Sequence, residues 1–231
     1  MSGIDISHLS ESEEVELLEL LEAESVSRSP FRDAWDFCKS AVWTIDEARG
    51  EVRPFPCGER YSYLREMTYE RERHPIFAVE KSRRMFMTWW MLSLYLYDVL
   101  TQKNHANFVG SRKMESSAYL LGPSRMLGIW ERIPAEVWPT KPELKPVGKL
   151  EAGYSRLECI QTGSYVQAIA SGADQLRQYT ATNVLCDEFA FWERQRESWG
   201  ALKPTVEGGG HIDIVSTPEL GSFMQDLIYD S

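Results

Sequence analysis

The chain has 231 residues, of which 43% are hydrophobic, and this content is sufficient for the core of one main α/β domain. Its net charge of −10 argues against general coating of nucleic acid, which needs clustered Lys and Arg, although basic residues do concentrate over 60–113. The four cysteines form no CxxC pair and have no His at ligand spacing, so neither a zinc site nor a disulfide framework is predicted.

The amino-terminal part of the chain predicts mainly helices and contains no export signal. Its start is acidic and lacks the basic and apolar segments of a signal peptide, so a cytoplasmic protein is expected. The predicted elements are an N-capped acidic helix from Ser10 to before Pro30, a helix over 31–42, a Pro- and Gly-rich linker over 46–60 and a helix over 61–72. We assign residues 1–60 to a helical appendage or lid and residues 61–231 to the main domain.

Beyond residue 75 the sequence alternates between strand and helix patterns. Strands are predicted over 76–79, 107–110, 183–186 and 212–215, and helices from Phe86 to about 100, over 114–130, up to Trp199 and over 223–229. Two alternating runs around Thr162-Gly163 predict a hairpin, and 134–146 is a proline-rich excursion. The apolar run 85–100 is too short for a membrane span and predicts a buried helix. The class is therefore α/β, with a mainly parallel sheet covered by helices.

An apolar run that ends in the adjacent acids Asp187 and Glu188 has the form of a Walker B motif. In such a motif the first acid helps to hold Mg²⁺ at the phosphates, and the second orients or deprotonates the water that attacks the γ-phosphate. A strand that meets an ordinary solvated turn also often ends in Asp-Glu. Taken alone, the motif leaves both interpretations open.

A second segment has the position and length of a phosphate-binding loop. No GxxxxGK[ST] motif is present, but the strand at 76–79 is followed by Lys81-Ser82-Arg83-Arg84-Met85-Phe86-Met87-Thr88. A lysine opens this loop and a hydroxyl residue closes it at the start of the next helix. Because helix N-termini and lysines bind phosphate, we interpret the segment as a deviant phosphate loop.

Together these motifs resemble the amino-terminal ATPase domain of the large subunit of tailed-phage terminases. The resemblance covers roughly 53–231 and rests on the lysine-first loop, on Asp-Glu-Phe-Ala-Phe-Trp at 187–192 and on the strand that ends in Ser-Thr-Pro at 216–218. It implies a P-loop NTPase of the additional-strand type. It also implies that the carboxy-terminal nuclease domain of full-length relatives is absent, so no DNA cleavage is expected of this chain.

The resemblance implies a nucleotide site and a metal site. Lys81 would contact the β- and γ-phosphates, and Ser82 and Arg83 belong to the same nucleotide-binding loop. Thr88 and Asp187 would bind Mg²⁺, with ATP and Mg²⁺ as the cofactors.

The remaining implied roles are catalytic or coupling. Glu188 would activate water, and Arg84 would sense the γ-phosphate. Arg177, eleven residues before Glu188, would reach the nucleotide of a neighbouring subunit in a ring, or would simply pair on a loop surface. Ser216 and Thr217 would couple hydrolysis to movement, or would form an ordinary turn at a strand end.

Two departures from the family pattern concern nucleotide binding. Phe86 stands where the family usually has glycine, and its bulk is expected to hinder the approach of backbone to phosphate. The family also commonly reads adenine with an upstream glutamine, but residues 1–101 contain no Gln. Tyr63 or Arg65 are candidates for that role, or they pack the appendage.

The predicted function is that of an ATPase motor domain that uses MgATP hydrolysis to move double-stranded DNA into a procapsid. The implied partners are double-stranded DNA, the portal protein and the small terminase subunit, with a homo-oligomeric ring on the procapsid, a possible monomer in isolation and no membrane. The implied location is the host cell cytoplasm. Two alternatives stay open: a degenerate docking module for those partners, and a helicase-like ATPase stimulated by nucleic acid.

Overall fold

A computed structural model describes residues 29–46, 49–172 and 180–229. The helix predicted from Ser10 and the predicted trans arginine Arg177 lie outside the described residues. The strands are β1 Trp43–Asp46, β2 Glu51–Pro54, β3 Ile76–Glu80, β4 Ala106–Ser111, β5 Leu144–Lys149, β6 Tyr154–Cys159, β7 Tyr165–Ala170, β8 Asn183–Asp187 and β9 His211–Ser216. The helices are α1 Ala34–Ala41, α2 Ser62–Arg73, α3 Met87–Thr101, α4 Met114–Leu121, α5 Met126–Glu131, α6 Gln195–Glu207 and α7 Phe223–Tyr229, with single 3₁₀ turns at Glu59–Tyr61 and Phe189–Phe191.

The central sheet has seven strands in the order β3-β9-β8-β4-β7-β6-β5. Strands β3, β9, β8, β4 and β7 pair in parallel, and β6 and β5 complete the sheet in antiparallel pairing. Strand β9 lies between β3, which precedes the lysine-first loop, and β8, which ends in the two acids. This inserted strand is the defining feature of the additional-strand P-loop fold, so the predicted fold class is confirmed.

Helix α3 forms the centre of the larger hydrophobic core. It is apolar on all sides, and eleven of its fifteen residues are buried, including Trp90, Tyr95 and Leu96. A helix of this composition must be surrounded by other elements, and α1, α5 and the sheet enclose it. The prediction of a buried helix is confirmed. Among the residues that the structure describes, no helix is both long and apolar enough to cross a membrane.

The segment predicted as a linker over 46–60 contains regular structure, so that prediction was wrong in part. Strands β1 and β2 pair in an antiparallel hairpin, in which Trp43 lies opposite Pro54. Gly50 closes its turn with a φ of 65°, a left-handed conformation in which glycine has no steric penalty. Of the residues that suggested a linker, Gly50 therefore belongs to a turn and Pro54 to the end of a strand, whereas Pro56 and Gly58 lie between β2 and the next 3₁₀ turn.

The single helix predicted over 114–130 is two helices, α4 and α5. The break falls at Gly122-Pro123, where proline has no N–H to donate and disfavours helical backbone in the residue before it. At Gly128 in α5, an added Cβ would lie 1.8 Å from the carbonyl oxygen of Pro123. Glycine at that position lets α5 pack closely against the connecting loop and fixes the course of this loop.

The hairpin predicted around Thr162-Gly163 is confirmed by the antiparallel pair β6 and β7, with Gly163 at a φ of 68°. The proline-rich excursion runs into the edge strand β5, which contains Pro146. An edge strand tolerates proline because one side of its backbone makes no ladder hydrogen bonds.

Candidate functional site

The lysine-first loop begins directly at the end of β3. The backbone N–H of Lys81 donates to the carbonyl oxygen of Ser216 at 2.9 Å, so the loop starts against the end of β9. Arg84 and Phe86 both have left-handed backbone, with φ values of 66° and 57°. Helix α3 then begins at Met87, and the N–H of Trp90 donates to the carbonyl oxygen of Phe86 at 2.9 Å. The loop thus turns sharply between a strand and a helix, as predicted.

The two acids lie at the carboxyl end of β8, beside the same loop. Asp187 is the last strand residue, and Glu188 has left-handed backbone, with a φ of 51° and a ψ of 43°. Its N–H donates to the carbonyl oxygen of Val215 at 2.7 Å. The indole N–H of Trp192 donates to the carbonyl oxygen of Asp187 at 3.1 Å and ties the turn back onto the strand end. This turn aims the Glu188 carboxylate at the loop.

The structure brings the main predicted residues of the two motifs together. Lys81 Nζ lies 2.6 Å from Glu188 Oε1, and the Thr88 hydroxyl donates to Asp187 Oδ1 at 3.3 Å. Each of these pairs spans about a hundred positions of sequence, so the convergence depends on the fold. Their proximity is the arrangement that nucleotide and metal binding need, and their individual roles stay predictions.

The predicted coupling residues contact Glu188 directly. Glu188 Oε2 accepts hydrogen bonds from the backbone N–H and the hydroxyl of Thr217, at 3.1 and 3.0 Å, and lies 3.3 Å from Ser216 Oγ. Ser216 Oγ also accepts the N–H of Ala190 at 3.2 Å. Because β9 lies between β3 and β8, its end is the natural place for such contacts. Any movement of the Glu188 carboxylate therefore changes its hydrogen bonds to Thr217.

A cleft of about 380 Å³ opens beside these residues. Its lining includes Lys81, Arg84, Met85, Phe86, Met87, Thr88, Trp89, Ser111, Ser116, Tyr119, Leu120, Arg125 and Asp187. The predicted loop residues Ser82 and Arg83 are exposed and lie outside this lining. Three cationic side chains and one carboxylate face the cleft, so the site suits a polyanion in a chain whose total charge is −10.

Three polar residues of the cleft were missed by reasoning from the sequence: Arg125, Ser111 and Ser116. Ser111 ends β4, a neighbour of β8, and Ser116 lies in α4. Arg125 follows the Gly122-Pro123 break. The sequence signal that was available for Arg125 was this dipeptide, which marks a loop at the carboxyl edge of the sheet.

Burial, neighbouring charges and hydrogen bonds shift the pKa values of Asp187 and Glu188 in opposite directions. Burial raises the pKa of Asp187 to about 6, the adjacent Glu188 charge adds to the rise, and Lys81, Thr88 and Arg125 oppose it. Burial also acts to raise the pKa of Glu188, but hydrogen bonds from Lys81 and Thr217 outweigh it, so this pKa is lowered. Glu188 is therefore ionised at neutral pH, whereas ionised Asp187 is held in an unfavourable environment.

The residues around Asp187 fit a magnesium ion. Mg²⁺ prefers hard oxygen ligands and is commonly held by one or two carboxylates together with substrate phosphates. Thr88 Oγ1 and Asp187 Oδ1 supply such oxygens 3.3 Å apart. The raised pKa of Asp187 shows that a nearby positive charge would relieve a buried carboxylate.

Tyr63 and Arg65, the candidates for reading adenine, make other contacts in this structure. The Tyr63 hydroxyl donates to the carbonyl oxygen of Met85 at 2.8 Å and so braces the lysine-first loop from α2. The Arg65 guanidinium carbon lies 6.0 Å from the ring centre of Tyr69. Adenine recognition by either residue stays a prediction.

Phe86 takes the backbone conformation for which glycine is best suited. Its ring packs edge-to-face on Tyr61 at 5.6 Å and lines the cleft. The left-handed conformation costs a non-glycine residue about 1–2 kcal/mol. The position that the family usually gives to glycine thus keeps the glycine geometry here, with an aromatic side chain added to the wall of the cleft.

Phe86→Gly is expected to bind MgATPγS several-fold more tightly than the wild type, because it removes the ring from the cleft and relieves the left-handed backbone. Calorimetric titration measures this change. Tyr61→Ala is the matched control, since it removes the same ring pair but leaves the loop backbone unchanged, and its affinity should equal that of the wild type. Equal affinities of Phe86→Gly and the wild type would contradict crowding by Phe86.

Comparisons with known proteins establish the fold of the chain. No protein-family model and no curated protein matches it. The ATPase domain of the large terminase of Thermus phage P74-26 superposes with a TM-score of 0.53 at 16% identity, covering 73% of this chain and 72% of that one. The HK97 bacteriophage large terminase superposes with a TM-score of 0.64 at 13% identity, covering 88% of this chain and 41% of that one. The chain therefore has the fold of phage large-terminase ATPase domains, as the sequence resemblance predicted.

Proposed function

We propose that the chain is an ATPase motor domain that couples MgATP hydrolysis to the translocation of double-stranded DNA into a procapsid. The observation that carries the proposal is the convergence of Lys81, Thr88, Asp187 and Glu188 at the carboxyl edge of a sheet with an inserted strand. The fold match supports it, because the solved structures that the chain resembles include a phage terminase ATPase domain and a large terminase. The match covers 41% of the HK97 protein, so activities of a whole large terminase are part of the proposal.

Lys81 and Glu188 form an ion pair, and this pair suggests how the cycle starts. The Lys81 side chain is about nine-tenths buried, and its Nζ lies 2.6 Å from Glu188 Oε1. The phosphates of an incoming ATP compete for the lysine, because charge-assisted hydrogen bonds to phosphate are strong. Movement of Lys81 towards the phosphates frees Glu188 Oε1 to accept a proton of water.

Hydrolysis then uses the second acid as the water-orienting base. The water oxygen forms a bond to the γ-phosphorus, the bond to the β-phosphate oxygen breaks, and ADP leaves with inorganic phosphate. Thr88 and Asp187 would hold Mg²⁺, which would supply positive charge against the negative charge that develops on the phosphates. Before hydrolysis the Thr217 hydrogen bonds hold Glu188 Oε2, so its other oxygen, Oε1, faces the water.

The contact between Glu188 and Thr217 is the proposed route from chemistry to movement. Thr217 begins the segment that joins β9 to α7. A change in the position of the Glu188 carboxylate displaces two hydrogen bonds to Thr217 and one contact to Ser216. DNA, the portal protein, the small terminase subunit and further copies of the chain in a ring are the proposed partners, in the host cell cytoplasm, with Arg177 as the proposed trans arginine.

ATP binding and hydrolysis by the purified chain test the proposal. Lys81→Ala is expected to lower affinity for MgATPγS by about 10–100-fold, the usual cost of losing a charge-assisted hydrogen bond. Lys113→Ala is the matched control, because Lys113 is exposed and does not line the cleft. Turnover that rises with protein concentration and with added double-stranded DNA would support a self-assembling motor.

Two other outcomes would redirect the assignment. No binding at millimolar MgATP would favour the degenerate docking module, a reading that Phe86 in the wall of the cleft supports. Stimulation by single strands in place of duplex would favour a helicase-like ATPase.

A further inference from the structure

Arg125 lies in the wall of the nucleotide cleft, where neighbouring aromatic side chains fix its position. Its guanidinium carbon lies 4.7 Å from the ring centre of Trp89 and 4.9 Å from that of Tyr119, so two aromatic rings hold it. One guanidinium nitrogen also donates to the carbonyl oxygen of Ser124 at 3.0 Å. Stacked rings restrict the side chain, which reduces the entropy that an arginine loses when it binds an anion.

The surrounding chain fixes this position. Arg125 lies in the loop between α4 and α5, and Gly128 permits close packing of α5 on the carbonyl of Pro123 in that loop. Trp89 is nearly buried in the first turn of α3, one residue after the proposed metal ligand Thr88. Trp89, one of the two rings that hold the guanidinium, therefore belongs to α3, the helix that follows the lysine-first loop.

Arg125 and the proposed metal ligand Asp187 line the same cleft. Lys81, the other cation beside Asp187, is paired with Glu188 at 2.6 Å. Arg125 comes from the α4–α5 loop and belongs to neither sequence motif.

We propose that Arg125 binds the terminal phosphate of a nucleoside triphosphate in the cleft of its own chain. The inference rests on the proposed ATPase function and adds a cis-acting cation to it. The planar guanidinium can donate two hydrogen bonds to one phosphate group while its faces stay on the rings. In the proposed pose the loop holds the α- and β-phosphates and Arg125 holds the γ-phosphate, which a diphosphate lacks.

The test is a comparison of MgATPγS and MgADP binding by calorimetry. Arg125→Ala is expected to lower affinity for MgATPγS by about 10–100-fold and to leave affinity for MgADP within about two-fold of the wild type. Arg125→Lys should recover part of the lost affinity, because lysine keeps the charge but lacks the planar fork.

Arg132→Ala is the matched control. Arg132 flanks the same short helix and donates to the carbonyl oxygen of Pro123 at 3.4 Å, but it does not line the cleft. If Arg125 only supported the loop, Arg125→Ala and Arg132→Ala would each lower the affinities for MgATPγS and MgADP to similar degrees. A selective loss of MgATPγS binding in Arg125→Ala alone supports the proposal.

The two levels of the proposal fail differently. A wild type that binds neither nucleotide would overturn the ATPase function itself. A wild type that binds both, with Arg125→Ala unchanged or weakened equally for both, would overturn only the role of Arg125.

Discussion

Glu188→Gln is expected to lower the rate of ATP hydrolysis by roughly 10²–10⁴-fold, the usual contribution of a general base, while the affinity for ATP rises. A glutamine cannot accept the proton of the attacking water. It also has no charge with which to hold Lys81, which lies 2.6 Å from Glu188 Oε1. ATP then no longer has to break an ion pair in order to engage the lysine.

The substitution should leave the local structure in place. The amide oxygen of glutamine can still accept the N–H and hydroxyl of Thr217, which are now at 3.1 and 3.0 Å from Glu188 Oε2. Single-turnover hydrolysis and calorimetric binding of MgATPγS measure the two effects separately. Unchanged turnover would exclude Glu188 as the base, and weaker ATP binding would exclude the Lys81–Glu188 pair as an obstacle to the nucleotide.

Glu80→Gln provides the matched control for this experiment. Glu80 precedes Lys81 and ends β3, but its carboxylate accepts a hydrogen bond from the Tyr229 hydroxyl at 2.9 Å, outside the cleft. Glu80→Gln makes the same change of a carboxylate to an amide, and it should therefore alter neither ATP turnover nor ATP affinity. A similar loss in both variants would indicate a general electrostatic effect of the lowered negative charge.

The sequence was sufficient for the parts of the site that lie next to regular elements. The lysine-first loop follows an apolar strand and the acids end another, and parallel strands bring their carboxyl ends to one edge of a sheet. Local pattern and chain direction together therefore predict that Lys81 and Asp187 meet. The family resemblance implied an additional strand and a coupling role for Ser216 and Thr217. The position of β9 between β3 and β8 and the contact of Thr217 with Glu188 come from the structure.

The parts that the sequence did not yield depend on contacts across the chain. The aromatic clamp on Arg125 joins the first turn of α3, the helix α4 and the loop after it, and no local pattern reports such a meeting. The break between α4 and α5 had a local signal, Gly122-Pro123, which the apolar periodicity on both sides outweighed. The hairpin of β1 and β2 was missed for the opposite reason, because turn residues obscured two short strands.

A second missed feature is a charged network in the middle of β9. Asp213 is fully buried, and both of its oxygens accept hydrogen bonds from the Arg71 guanidinium of α2, at 2.7–3.0 Å. The Tyr95 hydroxyl of α3 donates to the same carboxylate at 2.8 Å. Burial acts to raise the pKa of Asp213, but Arg71 and His211 outweigh it, so this pKa is lowered. The network fixes α2 to the strand whose end carries the coupling residues.

Two buried aspartates of the sheet, Asp187 at the end of β8 and Asp213 within β9, are expected to respond oppositely to the same substitution. In nucleotide-free protein at pH 7.5, Asp187→Asn should raise the free energy of unfolding by about 1–3 kcal/mol. The rise of the Asp187 pKa from 3.8 to about 6 sets the upper figure, since one pKa unit corresponds to about 1.4 kcal/mol. Burial of the new amide hydrogens lowers the gain. Asp213→Asn should instead cost about 3–5 kcal/mol, because Arg71 would keep its buried charge without a partner.

The dependence on pH separates these two effects. A carboxyl whose pKa is raised by folding destabilises the native state fully above that pKa, here about 6, and the cost fades as the pH falls towards the unfolded value near 4. The advantage of Asp187→Asn should shrink over that window. The contribution of Asp213, whose pKa is lowered, is present above the unfolded value and is lost only as the pH falls below it. Urea denaturation at several pH values measures both.

The same pair of variants separates stability from function. Asp187→Asn should lose Mg²⁺-dependent binding of ATPγS although it is the more stable protein, because an amide is a weaker ligand for a hard cation. Natural sites often keep such a destabilising group because activity needs it. If Asp187→Asn were less stable than the wild type, Asp187 would be a structural residue of the strand end, and the magnesium assignment would have no support from this carboxylate. If it were more stable and still bound nucleotide with unchanged Mg²⁺ dependence, the metal would have to be held elsewhere.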